Sequence, residues 1–169
     1  QTTSQHQSLA ATIQPGTLKL LLPVDATERS RWGINYAMMR RQSSPGVVVA
    51  LLYVAEPVDS WQVSRFLTRE EVRRFQAQRA KYLLEDAARP LQQAGIAVQM
   101  DFREGDIVFE ILDAAEQLDC DEIVLPNPHP RWTRPFSRDI VRKILCRKHS
   151  VPVTTVSIDG VPAQNAPPP

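Results

Sequence analysis

Glycine is scarce in this chain, with six residues among 169. Loops that cradle phosphates rely on glycine, because without a Cβ the backbone N–H groups can close around an anion. Neither GxGxxG nor GxxxxGK[ST] occurs, which excludes the two commonest phosphate cradles. HExxH and the GxSxG elbow are missing too, and with them a zincin site and an α/β-hydrolase nucleophile. The only cysteines, Cys120 and Cys146, form no CxxC and no ligand cluster. A disulfide framework is excluded, buried inert thiols are expected, and a reduced, cytoplasmic setting fits. No catalytic residues and no metal site are expected. Charge of one sign is lacking: 20 Lys and Arg oppose 19 Asp and Glu, for a net +1. Bulk electrostatics therefore do not mark a nucleic-acid partner. No run approaches the roughly 18 apolar residues of a membrane helix, and no basic, apolar leader opens the sequence.

Proline, in contrast, is abundant, and four of the fourteen lie in the last eight residues. Residues 159–169 read as a Pro-rich tail that cannot pack regularly. Residues 1–16, QTTSQHQSLAATIQPG, are polar without apolar period and read as a flexible arm. Between them, residues 17–158 are long enough for one domain, the chain being 43% hydrophobic.

Within that domain strand and helix patterns alternate. The strands are TLKLLLPV (17–24), GVVVALLYVAEP (46–57), IAVQMDF (96–102), DEIVLP (121–126) and VPVTTVSI (151–158). The second is nearly continuous and β-branched, as in a strand buried on both faces. Thr27 is placed to cap a first helix with Gly33, Ile34, Ala37 and Met38 inward. Val72, Phe75, Ala80, Leu83, Ala87 and Leu91 mark a longer helix that Pro90 should kink or end near Arg89. Asp106 is placed to cap a third, with Val108, Ile111, Leu112, Ala115 and Leu118 inward. Ser137 is placed to cap a fourth, carrying Ile140, Val141, Ile144 and Leu145.

This alternation predicts an α/β three-layer sandwich, a five-stranded parallel sheet with right-handed crossovers and helices on both faces. Two strand orders satisfy it, 2-1-3-4-5 and 3-2-1-4-5. Either opens a ligand cleft at the carboxyl ends of the strands where the winding reverses. Under the second order the cleft is walled by Pro23, Val24 and Asp25 and by Pro126 and Asn127.

Several of these pieces resemble the universal stress proteins. They are LKLLLPVDATERS, LLYVAEP, REGDIVFEILDAAEQLDCDEIVLP and SRDIVRKILCRKHSVPVTTV, in that order and covering roughly residues 17–158. The resemblance implies the order 3-2-1-4-5 and a homodimer paired through the last strand, residues 153–158 (Val153 to Ile158). It also implies a place for ATP in some members, held after the fourth strand by Gly-x-x-Gly, nine residues, then Gly-Ser or Gly-Thr. Here Pro126 and His129 stand at the first two glycines, Phe136 precedes Ser137, and the loop is three residues shorter. Proline removes a donor and Phe136 adds bulk. The expectation is therefore a dimeric regulatory or protective stress protein that is not an enzyme and holds no ATP in the family manner.

The alternative is a nucleotide-binding member, taking ATP or AMP with Mg²⁺ through arginines instead of glycines. Seven cations against Asp139 alone lie between His129 and His149. Arg142, Lys143, Arg147 and Lys148 suit the later part of a helix, where cations complement its dipole. That leaves Arg131, Arg134 and Arg138 for an anion, with Ser137 at the helix start. The resemblance adds Asp25 at the nucleotide and Val54 at the base, although Asp25 serves equally as a turn residue. The candidate cleft thus comprises Asp25, Val54, Pro126, Asn127, His129, Arg131, Ser137 and Arg138. His129 has no second ligand at metal spacing and reads as a surface histidine.

Overall fold

The computed structural model describes residues 16–58, 66–128 and 140–163. Among them β1 (Leu18–Pro23) leads through a 3-10 turn (Glu28–Arg31) into α1 (Trp32–Ser43), and β2 (Val47–Ala55) precedes α2 (Arg69–Gln93). Then come β3 (Ala97–Glu104), α3 (Ile107–Gln117), β4 (Glu122–Pro126), α4 (Ile140–Cys146) and β5 (Val153–Val156). All five strands are parallel, in the order β3-β2-β1-β4-β5. Of the two orders that periodicity left open, this is the one the family resemblance implied.

Strand alternation sorts the core into two layers. Leu20 and Leu22 of β1, with Val49 and Leu51 of β2, face α1 and α2 and meet Ile34, Ala37, Leu84, Ala87 and Leu91. Leu21, Ala50 and Leu52 face the other way, toward Val108 and Ile111 of α3 and Val141 and Ile144 of α4. Gly33 lets α1 lie close to the sheet: a Cβ there would stand 3.0 Å from Leu22 Cδ2 and 3.4 Å from Val124 Cγ1. The Arg31–Asp86 ion pair, at 2.6 Å, ties the start of α1 to α2, and the guanidinium holds the Asp86 carboxyl below its ordinary range.

Helix ends follow the sequence in part. Asp106 caps α3, accepting from the Phe109 N–H at 2.9 Å. Thr68 caps α2 through a reciprocal bond with Glu71. Thr27 precedes the 3-10 turn but makes no side-chain cap; Asp25 orders that turn instead. Pro90 does not end α2, which runs on to Gln93 and stops at Gly95, with φ of 74°. The missing Pro90 N–H lies only one turn from the helix end, and burial of Leu91 holds that turn on the sheet. Gly33, Ile34 and Ala37 of α1 are buried as expected and Met38 is half-buried against the same core, and Tyr36 joins them, so the inward face of α1 is wider than the expected one. Phe75 and Leu145 are exposed, as is Cys146, which corrects the reading of Leu145 and Cys146 as inward positions. In α4 only Val141 and Ile144 are buried. The proposed cap Ser137 lies outside the described residues.

Two expectations follow. Ile123 has no exposed surface, so Ile123→Ala should cost about 2–5 kcal/mol in chemical denaturation. The Tyr36 hydroxyl donates to Glu122 Oε1 at 2.8 Å, and burial, reinforced by Glu122, pushes its pKa up to about 12 from 10.0. A pKa raised on folding contributes stability that is complete below the unfolded value and lost above it. Wild-type stability should therefore decline between pH 10 and about 12 more steeply than that of Tyr36→Phe, as measured by urea unfolding at each pH.

Candidate functional site at the strand switch

The crossover after β1 packs α1 on one face of the sheet, while α4, after β4, packs on the other. Two neighbouring strands whose chains leave in opposite directions open a crevice at their carboxyl ends. A cavity of about 280 Å³ lies there, lined by Pro23, Val24, Asp25, Val54, Leu125 and Pro126 among others. A second hollow of about 570 Å³ adjoins it beneath the first half of α2 and shares Asp25, Thr27, Val54 and Ile107.

The rim of the cavity is polar, and its groups bind one another. Asp25 Oδ1 accepts from the Thr27 N–H at 2.7 Å and from the Thr27 hydroxyl at 2.6 Å. This is an Asx-type turn, which makes the carboxylate the organiser of the β1 exit. The buried Ser30 hydroxyl donates to the Thr27 carbonyl at 2.8 Å and accepts from the Asp25 N–H at 3.1 Å. Arg29 Nη2 donates to the Asn127 carbonyl, and the guanidinium carbon lies 5.1 Å from the centre of the Trp32 ring. Arg29 therefore joins the β1 exit to the β4 exit across the mouth of the cavity, with its charge partly spread over an aromatic face.

The β4 exit has few donors to offer. Pro126 has no N–H. The Asn127 N–H is spent on the Val156 carbonyl at 2.9 Å, within the sheet. Residue 128 is again proline. From 126 to 128, then, the backbone presents no N–H to the cleft, and the Asn127 carbonyl is an acceptor already held by Arg29. Asn127 Oδ1 is buried without a hydrogen-bond partner. A polyphosphate needs donors here, and the described backbone does not fit one.

Of the residues expected in the cleft, Asp25, Val54 and Pro126 line it, and Asn127 borders it through its carbonyl. His129, Arg131, Ser137 and Arg138, with Arg134, lie outside the described residues. Arg29 and Ser30 are additions to the expected site: the spacing of Ser30 from Asp25 in DATERS is a local signal, whereas Arg29 has none, its partner Asn127 lying far along the chain. Among the described residues no three His, Cys, Asp or Glu side chains gather as a metal site would require, and no helix is long and apolar enough to cross a membrane.

A doubly wound α/β domain with its crevice between β1 and β4 is the class that this geometry defines. The model of the universal stress protein family matches residues 17–157, and the chain belongs to that family. No curated protein matches it. Among solved structures it is similar to a universal stress protein family member from Burkholderia pseudomallei. The identity is 16% and the TM-score 0.61, covering 85% of this chain and 98% of that one. A universal stress protein in complex with cAMP superposes with a TM-score of 0.59 at 13% identity, over 85% of this chain and 98% of that one. A family member from Arabidopsis thaliana with AMP bound gives 0.55 at 15%, over 83% and 90%. At such identities the likeness is one of fold.

The two thiols should separate chemically. Burial pushes Cys120 up to about 11, whereas Cys146 is exposed. At pH 8 a thiol-reactive dye should label Cys146 in the native protein and Cys120 only after denaturation. Equal labelling of both would contradict this placement.

Proposed function

We propose that this chain is a regulatory or protective binding module of the universal-stress type, not an enzyme, and that its cleft does not hold ATP through the backbone after β4. The observation that carries this reading is the run Pro126, Asn127, Pro128. Two of its residues lack an N–H and the third gives its N–H to Val156. The rim supports it further, because Asp25, Thr27, Ser30 and Arg29 are engaged among themselves and with Asn127. A reduced setting such as the cytoplasm accords with two free cysteines.

A second reading is favoured by the space at the switch. Of the two adjoining hollows, the one of about 570 Å³ lies within the range of small-molecule sites, roughly 300–1,000 Å³, and the one of about 280 Å³ falls just short of it. Relatives of the same fold have been solved with AMP and with cAMP. In that reading a nucleotide lies beside Asp25 and Val54, and its phosphate, with Mg²⁺, is met by Arg131, Arg134 and Arg138 in place of backbone donors.

Titration calorimetry separates the two. With ATP, ADP and AMP at millimolar concentration and Mg²⁺ present, the first reading predicts no heat of binding. Stoichiometric nucleotide retained through purification, detected by native mass spectrometry, would overturn it. In that event Arg131→Ala or Arg138→Ala should weaken binding by about 1–3 kcal/mol, the range of charged hydrogen bonds.

A further inference from the structure

β3 is the outer strand of the sheet on the side away from β5. β2 pairs with it residue for residue, from Ala97 to Glu104, and among the described residues no strand pairs with its other side. In a regular parallel ladder, successive residues turn their N–H and C=O groups alternately to the two sides of the strand. The one-to-one register leaves no bulge to interrupt that alternation. Just past the strand, the Gly105 N–H donates to the Ala55 carbonyl at 3.0 Å, toward β2. By the same alternation Arg103, Asp101 and Gln99 face β2, and Phe102, Met100 and Val98 turn their N–H and C=O groups outward. These outward groups form an open sheet edge.

A strand added here would set its side chains alternately against two unlike surfaces. One is apolar. Val98 packs on the core layer of α1 and α2, Phe102 stacks on Tyr53 with ring centroids 6.1 Å apart, and Met100 between them is exposed. At the end of that face Glu104 is met by Arg73 of α2 at 3.6 Å. The other surface, toward α3, is acidic. Arg103 donates to Asp101 Oδ2 at 3.0 Å, to Asp113 Oδ2 at 2.6 Å and to Gln117 Oε1 at 2.9 Å, and lies 3.5 Å from Glu110 Oε2. One guanidinium thus stands among three carboxylates, and the surplus charge is negative. Gln99, next along this face, is exposed and brings no charge to offset it.

We propose that the outer edge of β3 docks an extended segment of another protein as an added strand, one in which apolar residues alternate with lysine or arginine. Main-chain hydrogen bonds to Val98, Met100 and Phe102 hold the segment, and its alternation selects it. Its apolar side chains cover Met100 and Phe102, and its cations meet Asp101, Glu110 and Asp113. A second β3 in place of that segment would set acids against acids. No β3 residue lines either hollow at the strand switch, so docking here is separate from whatever the cleft holds.

Fluorescence anisotropy on the full chain tests this with three dye-labelled peptides of the length of β3. One alternates valine with lysine, one alternates valine with glutamate, and one gathers the valines and lysines into two blocks. The first should bind at least about tenfold more tightly than the others; no binding of it, or equal binding of all three, would overturn the proposal. Met100→Pro removes an outward N–H and leaves the ladder with β2 in place. It should weaken the first peptide at least about tenfold, and binding as tight as that of the wild type would count against the edge. Gln99→Lys, at an exposed position, does not depend on a proline being accommodated. It should weaken the lysine peptide and favour the glutamate peptide, and an unchanged preference would refute the charge selection. In amide exchange, Val98, Met100 and Phe102 should exchange freely in the protein alone and slow when the first peptide is added. Protection already present without peptide, as another part of the chain or a second copy on this edge would give, would contradict the proposal.

Discussion

β1 is enclosed on every side. β2 pairs with it along its whole length, from Leu18 to Pro23, and β4 pairs with it at Leu20 and Leu21. Leu20 and Leu22 are covered by one helical layer and Leu21 by the other. Such a strand has to be short and regular with an apolar centre, and LKLLLP has one in Leu20, Leu21 and Leu22, its lysine falling near the strand's start. Its burial also fixes the site. Because the chains after β1 and β4 leave toward opposite faces, the end of this central strand becomes one wall of a cleft, and Pro126 at the end of β4 becomes the other.

The content of that cleft is decided by hydrogen-bond supply. In a phosphate loop the protein offers N–H groups and leaves them free until an anion arrives. Here the supply is reversed. Proline removes donors at 126 and 128, the sheet claims the one at 127, and a carbonyl at 127 draws in Arg29. Asp25 is likewise turned inward on its own loop by Thr27. A buried polar group left unpaired is costly; the buried Ser30 hydroxyl finds its partners in the Thr27 carbonyl and the Asp25 N–H, and the Arg29 guanidinium finds one in the Asn127 carbonyl, while Asn127 Oδ1 is left without one.

Much of this was legible in the residues. Periodicity located all five strands and placed Asp106 as a cap, because both depend on neighbours in sequence. It could not choose between two strand orders, because order depends on which buried faces fit together; the family resemblance made that choice. The cleft was half legible. Asp25, Val54 and Pro126 end or flank strands, and strand ends can be read. Arg29 could not be read, because its partner lies far along the chain at Asn127 and comes near only once β1 and β4 are adjacent. Tyr36 lies beside the expected face: its ring belongs to the core while its hydroxyl needs Glu122, a partner that an apolar pattern does not score. Pro90 was given too much weight: near a helix end the lost hydrogen bond is easily tolerated when Leu91 beside it is fully buried.

The backbone N–H groups at the β1 and β4 exits are satisfied within the protein and are not waiting for a nucleotide. Amide hydrogen exchange at Asp25, Thr27 and Asn127, followed with and without millimolar Mg-ATP, tests this most directly. Unchanged exchange at all three is the result predicted. Slowing of these amides on addition of the nucleotide would contradict it.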